Sequence, residues 1–214
     1  MAVIRSRSIK YLDEVLHTGR LLYAFRSVSN FETHLFLDAT SARDMHELLD
    51  GDPLISHCSL VIEPLLTGTE MAGALQDYLR EEILRAEDWV GLEFTRTPLD
   101  PDGTYFLARK VVRPFSPLLS IEDQNRIHRN TLISQRAHTD SREVADFNPV
   151  GKAVGILIMR AESEEEVRSH VSGCEVYVDS AVTIDRVLTL KQAQESNMAL
   201  LATLMRGEFV GASN

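Results

Sequence analysis

The chain carries one pattern twice at a constant spacing. Thr33-His34-Leu35-Phe36-Leu37-Asp38-Ala39-Thr40-Ser41 lines up with Gly155-Ile156-Leu157-Ile158-Met159-Arg160-Ala161-Glu162-Ser163. The match runs on without a gap to Asp50-Gly51 and Ser172-Gly173. Gly51 and Gly173 lie 122 residues apart, and that offset holds from about residue 20 to about residue 67. A duplicated supersecondary unit has an apolar face to cover, and the other copy is the partner at hand. A site is expected where the copies meet.

Hydrophobic periodicity fills in the elements of each copy. In the first, Ile9, Leu12, Val15 and Leu16 predict a helix over 6–17 that Gly19 closes. Leu21–Arg26 and His34–Ala39 read as strands with a turn at Asn30 between them. Thr40 or Ser41 caps a short helix ending at Gly51, and Cys58–Leu65 reads as the closing strand. In the second copy a polar helix over 121–137 and a strand over 143–147 precede the strong strand Val154–Arg160. Ser163 caps a helix whose acidic first turn, Glu164-Glu165-Glu166, suits the helix dipole. That helix ends at Gly173, and Ser180–Leu188 closes the copy. Further helices are expected over 69–87 and 190–206.

One element breaks the symmetry. The strand Tyr105–Val112 leads the second copy, whereas the same position before the first copy would precede residue 1. Residues 89–95 (Trp-Val-Gly-Leu-Glu-Phe-Thr) either fill that vacancy in the first sheet or form a hairpin with 104–112. The first is the more economical arrangement. The domains expected from this reading are 1–88 and 89–214.

Composition excludes several classes. A net charge of −10 among 214 residues disfavours nucleic acid and anionic membrane surfaces. No apolar run is long enough to span a bilayer, and no secretory signal opens the chain, so a cytoplasmic location is expected. Two cysteines, Cys58 and Cys174, make no disulfide framework. Neither metal-ligand spacing nor a glycine-rich phosphate loop occurs.

A βαββαβ unit covers one face of its sheet with helices and leaves the other bare. Strand alternation assigns Leu35, Leu37, Cys58, Leu60 and Ile62 to the helices. It assigns Tyr23, Phe25, His34, Phe36, His57, Ser59 and Val61 to the bare face, matched in the second copy by Ile156, Ile158, Asp179, Ala181 and Thr183. Two such faces packed together make a barrel with a mixed apolar and polar interior, suited to a cavity.

Gly19-Arg20-Leu21-Leu22-Tyr23-Ala24-Phe25-Arg26, His46-Glu47-Leu48-Leu49-Asp50-Gly51-Asp52-Pro53-Leu54 and Glu63-Pro64-Leu65 resemble muconolactone isomerase across residues 8–66. The second copy, through its Gly155–Glu166 run, is similar to the YCII-related branch of the same fold. The resemblance implies an α+β fold: two ferredoxin-like repeats packed as a dimeric α+β barrel within one chain. It further implies a small-molecule pocket, no cofactor and a tendency to form homo-oligomers. Two departures separate the chain from the isomerase pattern. The leading strand of the first copy is missing from its usual place, and Ser59 and Val61 stand where the family's last strand is acidic.

The candidate catalytic residues are His34, His57 and Tyr23. A neutral imidazole on either of two adjacent strands can take and return a proton near neutrality, and a tyrosine hydroxyl can stabilise an oxyanion. Phe25, Phe36, Ser59, Arg109 and Asp146 are candidate substrate-binding residues. Arg109 suits a carboxylate or enolate, and Asp146 suits a general base. The plain alternatives are rim histidines, a packed tyrosine, a solvated or acid-paired Arg109, and a turn-forming Asp146 before Asn148-Pro149. His46 reads as a structural helix-end residue, and His138 and Asp140 as exposed loop residues. The expected activity is isomerisation or cyclisation of an enolisable, unsaturated ring or polyketide-like small molecule. The rivals are a cofactor-free monooxygenase of aromatic polyketides and a non-catalytic ligand-binding or interaction module.

Overall fold

A computed structural model describes residues 2–30, 32–68, 70, 97–111, 120, 142–173 and 181–206. The fold is α+β with antiparallel strand pairing. The chain forms two compact units. The first comprises Met1–Val61, Asp100–Gly103 and Val187–Asn214, and the second comprises Ile62–Leu99 and Thr104–Arg186. They are interleaved along the chain.

In the first unit, helix α1 (Ala2–His17) leads through Gly19 into β1 (Leu21–Ser27). Gly19 takes φ +79, a left-handed conformation suited to glycine. Strand β2 (Thr33–Leu37) pairs antiparallel with β1, and helix α2 (Ala42–Asp50) follows, capped by the Ser41 side chain. Leu12, Val15, Leu21, Ala24 and Leu48 form the core between α1, α2 and the sheet, with Leu35 and Leu37 packed against it.

Gly51 ends α2 where a Cβ would collide with the Tyr11 ring. The Tyr11 hydroxyl donates to the Leu48 carbonyl at 2.6 Å. Gly51→Ala is therefore expected to displace Tyr11 and cost about 1–3 kcal/mol, read by urea denaturation. An unchanged midpoint would mean that the α1–α2 contact adapts freely.

In the second unit, β4 (Tyr105–Val111) pairs with β6 (Val154–Arg160), which pairs with β5 (Glu143–Pro149). The short strand β3 (Leu65–Thr67) pairs with β5 on its far side. Helix α3 (Glu164–Ser172) is capped by Ser163. The boundary between the units falls inside β7 (Thr183–Leu188), which is the neighbour of β4. Its last two residues pair with the end of β1, and helix α4 (Leu190–Met205) belongs with the first unit. Phe106, Ala108, Leu157, Met159, Val167 and Val171 pack β4 and β6 against α3.

The 122-residue repeat is visible in the hydrogen-bonded registers. Leu21↔Leu37, Tyr23↔Phe36, Ala24↔Leu35 and Phe25↔His34 recur as Glu143↔Met159, Ala145↔Ile158, Asp146↔Leu157 and Phe147↔Ile156. Both registers shift at the equivalent residue, Leu22 in β1 and Val144 in β5. The Arg26↔Leu188 pair of β1 with β7 has its counterpart in Asn148↔Leu66 of β5 with β3. Thr67 with Glu70 and Thr189 with Gln192 make the same reciprocal cap at the next helix start.

The closing strand of the first copy differs from expectation. Residues 55–57 form a 3₁₀ turn, residues 58–64 have no regular structure, and strand pairing begins only at Leu65. Asp52 organises the turn by accepting the Leu54 amide at 2.8 Å. A strand forms only beside another strand edge; among the described residues the β3–β5 ladder is extended only by the Val150 amide donating to the Pro64 carbonyl, and no described strand pairs with 58–63. Cys58, Leu60 and Ile62 are consequently exposed rather than packed on helices. The expected strand over 89–95, the helix over 121–137, the helix over 69–87 apart from residue 70, and residues Val112, His138, Asp140, Cys174 and Asp179 lie outside the described residues. Among the described residues no helix is long and apolar enough to cross a membrane.

Candidate functional site

Four of the side chains assigned to the bare face of the first copy lie together on β1 and β2. Tyr23, Phe25, His34 and Phe36 share one face, with Phe25 opposite His34 and Tyr23 opposite Phe36. The Tyr23 ring stacks on Phe25 at 6.3 Å and meets Phe36 edge-on at 6.3 Å. Tyr23 and Phe25 are fully buried. His34 Nε2 lies 3.9 Å from the Glu32 carboxylate. His57 and Ser59 do not join this face, because both are exposed in the segment that forms no strand. The pairing of His34 with His57 as neighbours on one face is therefore overturned.

Arg109 is exposed and lies 3.8 Å from Glu63. Lys152 pairs with the same carboxylate, and its hydrogen bond is the main cause of a Glu63 pKa below the ordinary carboxylate value. The acid-paired reading of Arg109 is the one observed. His46 likewise sits on the exposed side of α2, 3.3 Å from Asp50.

Asp146 lies elsewhere than on the bare face. Its cross-strand neighbour is Leu157, which packs against α3, whereas Phe147 is opposite Ile156 on the other side. Lys110 reaches it from β4, donating to Oδ2 at 2.8 Å from a buried position. Asp146 Oδ1 is buried and accepts no hydrogen bond among the described residues. Burial pushes the Asp146 carboxyl above its ordinary pKa, against the opposing pull of the Lys110 ammonium. Glu143 raises it further and His170 lowers it. Glu143 and His170 also bond to each other through Oε1 and Nε2.

The bulge at Val144 assembles this cluster. In an unbroken strand Glu143 would share the face of Ala145. The register shift instead sets Glu143 opposite Met159, on the side of Asp146 and α3. His170 reaches the same side from the last turn of α3. Lys110, Glu143 and His170 were missed by the sequence reading. A signal for Lys110 was present: alternation in β4 puts it with Phe106 and Ala108, facing the core. The bulge that recruits Glu143 has no marker residue in the sequence.

The repeat supplies an internal comparison. The first-copy counterparts of Glu143, Asp146 and His170 are Leu21, Ala24 and Leu48, all members of the apolar core of the first unit. Among the described residues no strand flanks β2 as β4 flanks β6, so Lys110 has no described counterpart. The same backbone is thus built once with an apolar core at these positions and once with an acid–base cluster. Among the described residues no group of three His, Cys, Asp or Glu side chains has the arrangement of a metal site.

These features define an α+β protein with a half-buried lysine–carboxylate–histidine cluster. No protein-family model matches the chain, and no curated protein or solved structure matches it either.

Proposed function

We propose that the chain is a cofactor-independent isomerase or cyclase acting on an enolisable, unsaturated small molecule, with Asp146 as the proton-transferring group. The observation that carries this reading is the replacement of three apolar core positions of one copy by Glu143, Asp146 and His170 in the other. Burying ionisable groups where the same fold accepts leucine and alanine costs stability. Such a cost is characteristic of sites selected for chemistry. The strand order β7-β4-β6-β5, that of a βαββαβ unit, supports a ferredoxin-like repeat as the scaffold. The likeness of the first copy to muconolactone isomerase supports the reaction class.

In this reading an opening of the cluster uncovers Oδ1 of Asp146, which takes a proton from a carbon next to a carbonyl and returns it at another carbon of the conjugated system. Lys110, held on Oδ2, limits the charge that the carboxylate must bear in a poorly solvated place. A carboxyl raised by burial is a stronger base than an exposed one, which suits a carbon acid. His170 and Glu143 position the cluster and set its field.

Proton transfer without redox chemistry is detectable before the natural substrate is known. Incubation with enolisable unsaturated lactones and β-diketones in deuterated water is expected to label carbon positions, followed by NMR. Asp146→Asn is expected to slow labelling by about 100-fold or more. Equal labelling by wild type and variant would remove Asp146 from the mechanism.

A further inference from the structure

A separate feature lies at the end of β1. Arg26, Ser27, Ser29 and Asn30 line a pocket of about 180 Å³, joined by Ser196 from α4. All of them belong to the first unit. The Arg26 guanidinium is half-buried, and among the described residues no carboxylate or other side chain bonds to it. A second cation, Arg5 of α1, acts on it electrostatically. Burial, and then Arg5, lower the Arg26 pKa.

The second copy tests whether the fold requires these groups. Arg26, Ser27, Ser29 and Asn30 correspond to Asn148, Pro149, Gly151 and Lys152. Val28 corresponds to Val150, so the turn keeps its apolar residue and changes its polar ones. The cation there, Lys152, is already neutralised by Glu63. The equivalent strand end therefore forms without a concave cluster of arginine and hydroxyls.

We infer that the Arg26 pocket is a binding site for a small oxyanion, a carboxylate or phosphate group, held by the Arg26 fork with the Ser196 hydroxyl and the Asn30 amide. A planar guanidinium offers paired N–H donors matched to two oxygens of such a group. The Ser27 and Ser29 hydroxyls are hydrogen-bonded to each other at 3.1 Å, and the Ser196 hydroxyl and the Asn30 amide can donate to the remaining oxygens. A pocket of this size takes one such group, as a free ion or as the end of a larger molecule that extends into solvent. This inference does not depend on the role of Asp146.

Titration calorimetry on the full chain in low salt, with inorganic phosphate and with acetate in separate runs, tests it. Saturable binding of at least one probe is expected, weakening as sodium chloride is added. The stronger of the two identifies the headgroup. Arg26→Gln is expected to weaken binding by about 10-fold or more. Ser196→Leu, which fills the pocket while leaving the arginine, is expected to do the same. Lys152→Gln, at the equivalent end of the second copy, is expected to leave it unchanged. Absence of saturable binding to the wild type overturns the inference, as does unchanged affinity in both Arg26→Gln and Ser196→Leu.

Discussion

Lys110→Met is expected to lower the unfolding free energy by about 3 kcal/mol near neutral pH, and by progressively less in acid. The methionine keeps the length and apolar stem of the side chain, so packing in β4 is largely preserved. What disappears is the ammonium 2.8 Å from Asp146 Oδ2. The loss stays near the lower end for a broken buried pair because Asp146 has an alternative to remaining charged: it takes up a proton.

The sign of the pH dependence follows from the same group. Burial raises the folded-state pKa of Asp146 above its ordinary value of 3.8. The folded protein thus holds the proton more tightly than the unfolded chain does. The stability associated with that proton is full below the ordinary carboxylate range and is lost as pH rises through the raised value. Removing Lys110 removes an interaction that lowers this pKa, so the variant's decline begins at the same acid end and extends to higher pH. Urea denaturation of both proteins at about pH 4 and about pH 7 provides the check. An identical loss at both values would mean that Lys110 contributes through packing alone.

Phe25→Ala is expected to cost about 3–5 kcal/mol, the ordinary penalty for deleting a buried aromatic ring. Phe25 has no exposed surface and lies at 19° to the Tyr23 ring. Its removal leaves a void that the stacked tyrosine cannot fill without leaving Phe36. Val28→Ala, two residues beyond the last residue of the β1–β2 pairing and 53% exposed, is the control and is expected to change stability by less than about 0.5 kcal/mol. The comparison also bears on the character of this face. If the rings line a solvent-filled cavity, the phenylalanine is already half in water when folded and the cost falls well below this range. The full burial of Tyr23 and Phe25 favours the larger value.

Much of the fold was legible because it depends on local signals. Ser41 and Ser163 cap the predicted helices, and Gly51 and Gly173 end them. The strand Val154–Arg160 has its expected limits, and Leu35, Leu37, Ile156 and Ile158 lie on their expected faces. Of the expected site, Tyr23, Phe25, His34 and Phe36 do converge. His57 and Ser59 do not, because the apolar alternation around Cys58 describes a strand only where an edge exists to pair with it. Asp146 was singled out from the sequence, yet its lysine partner lies on another strand and its glutamate neighbour arrives through a bulge.

The sequence by itself determined the duplication, its 122-residue offset and the identity of most elements, since caps, glycine ends and periodicity act within a few residues. Tertiary structure alone decided which strand edges are paired, where the period of two is interrupted at Leu22 and Val144, and therefore which side chains meet. A single extra residue in one strand reverses every side chain beyond it, and only the partner strand decides whether that residue is accommodated as a bulge. That one displacement carries Leu21 into an apolar core in the first copy and Glu143 into a charged cluster in the second.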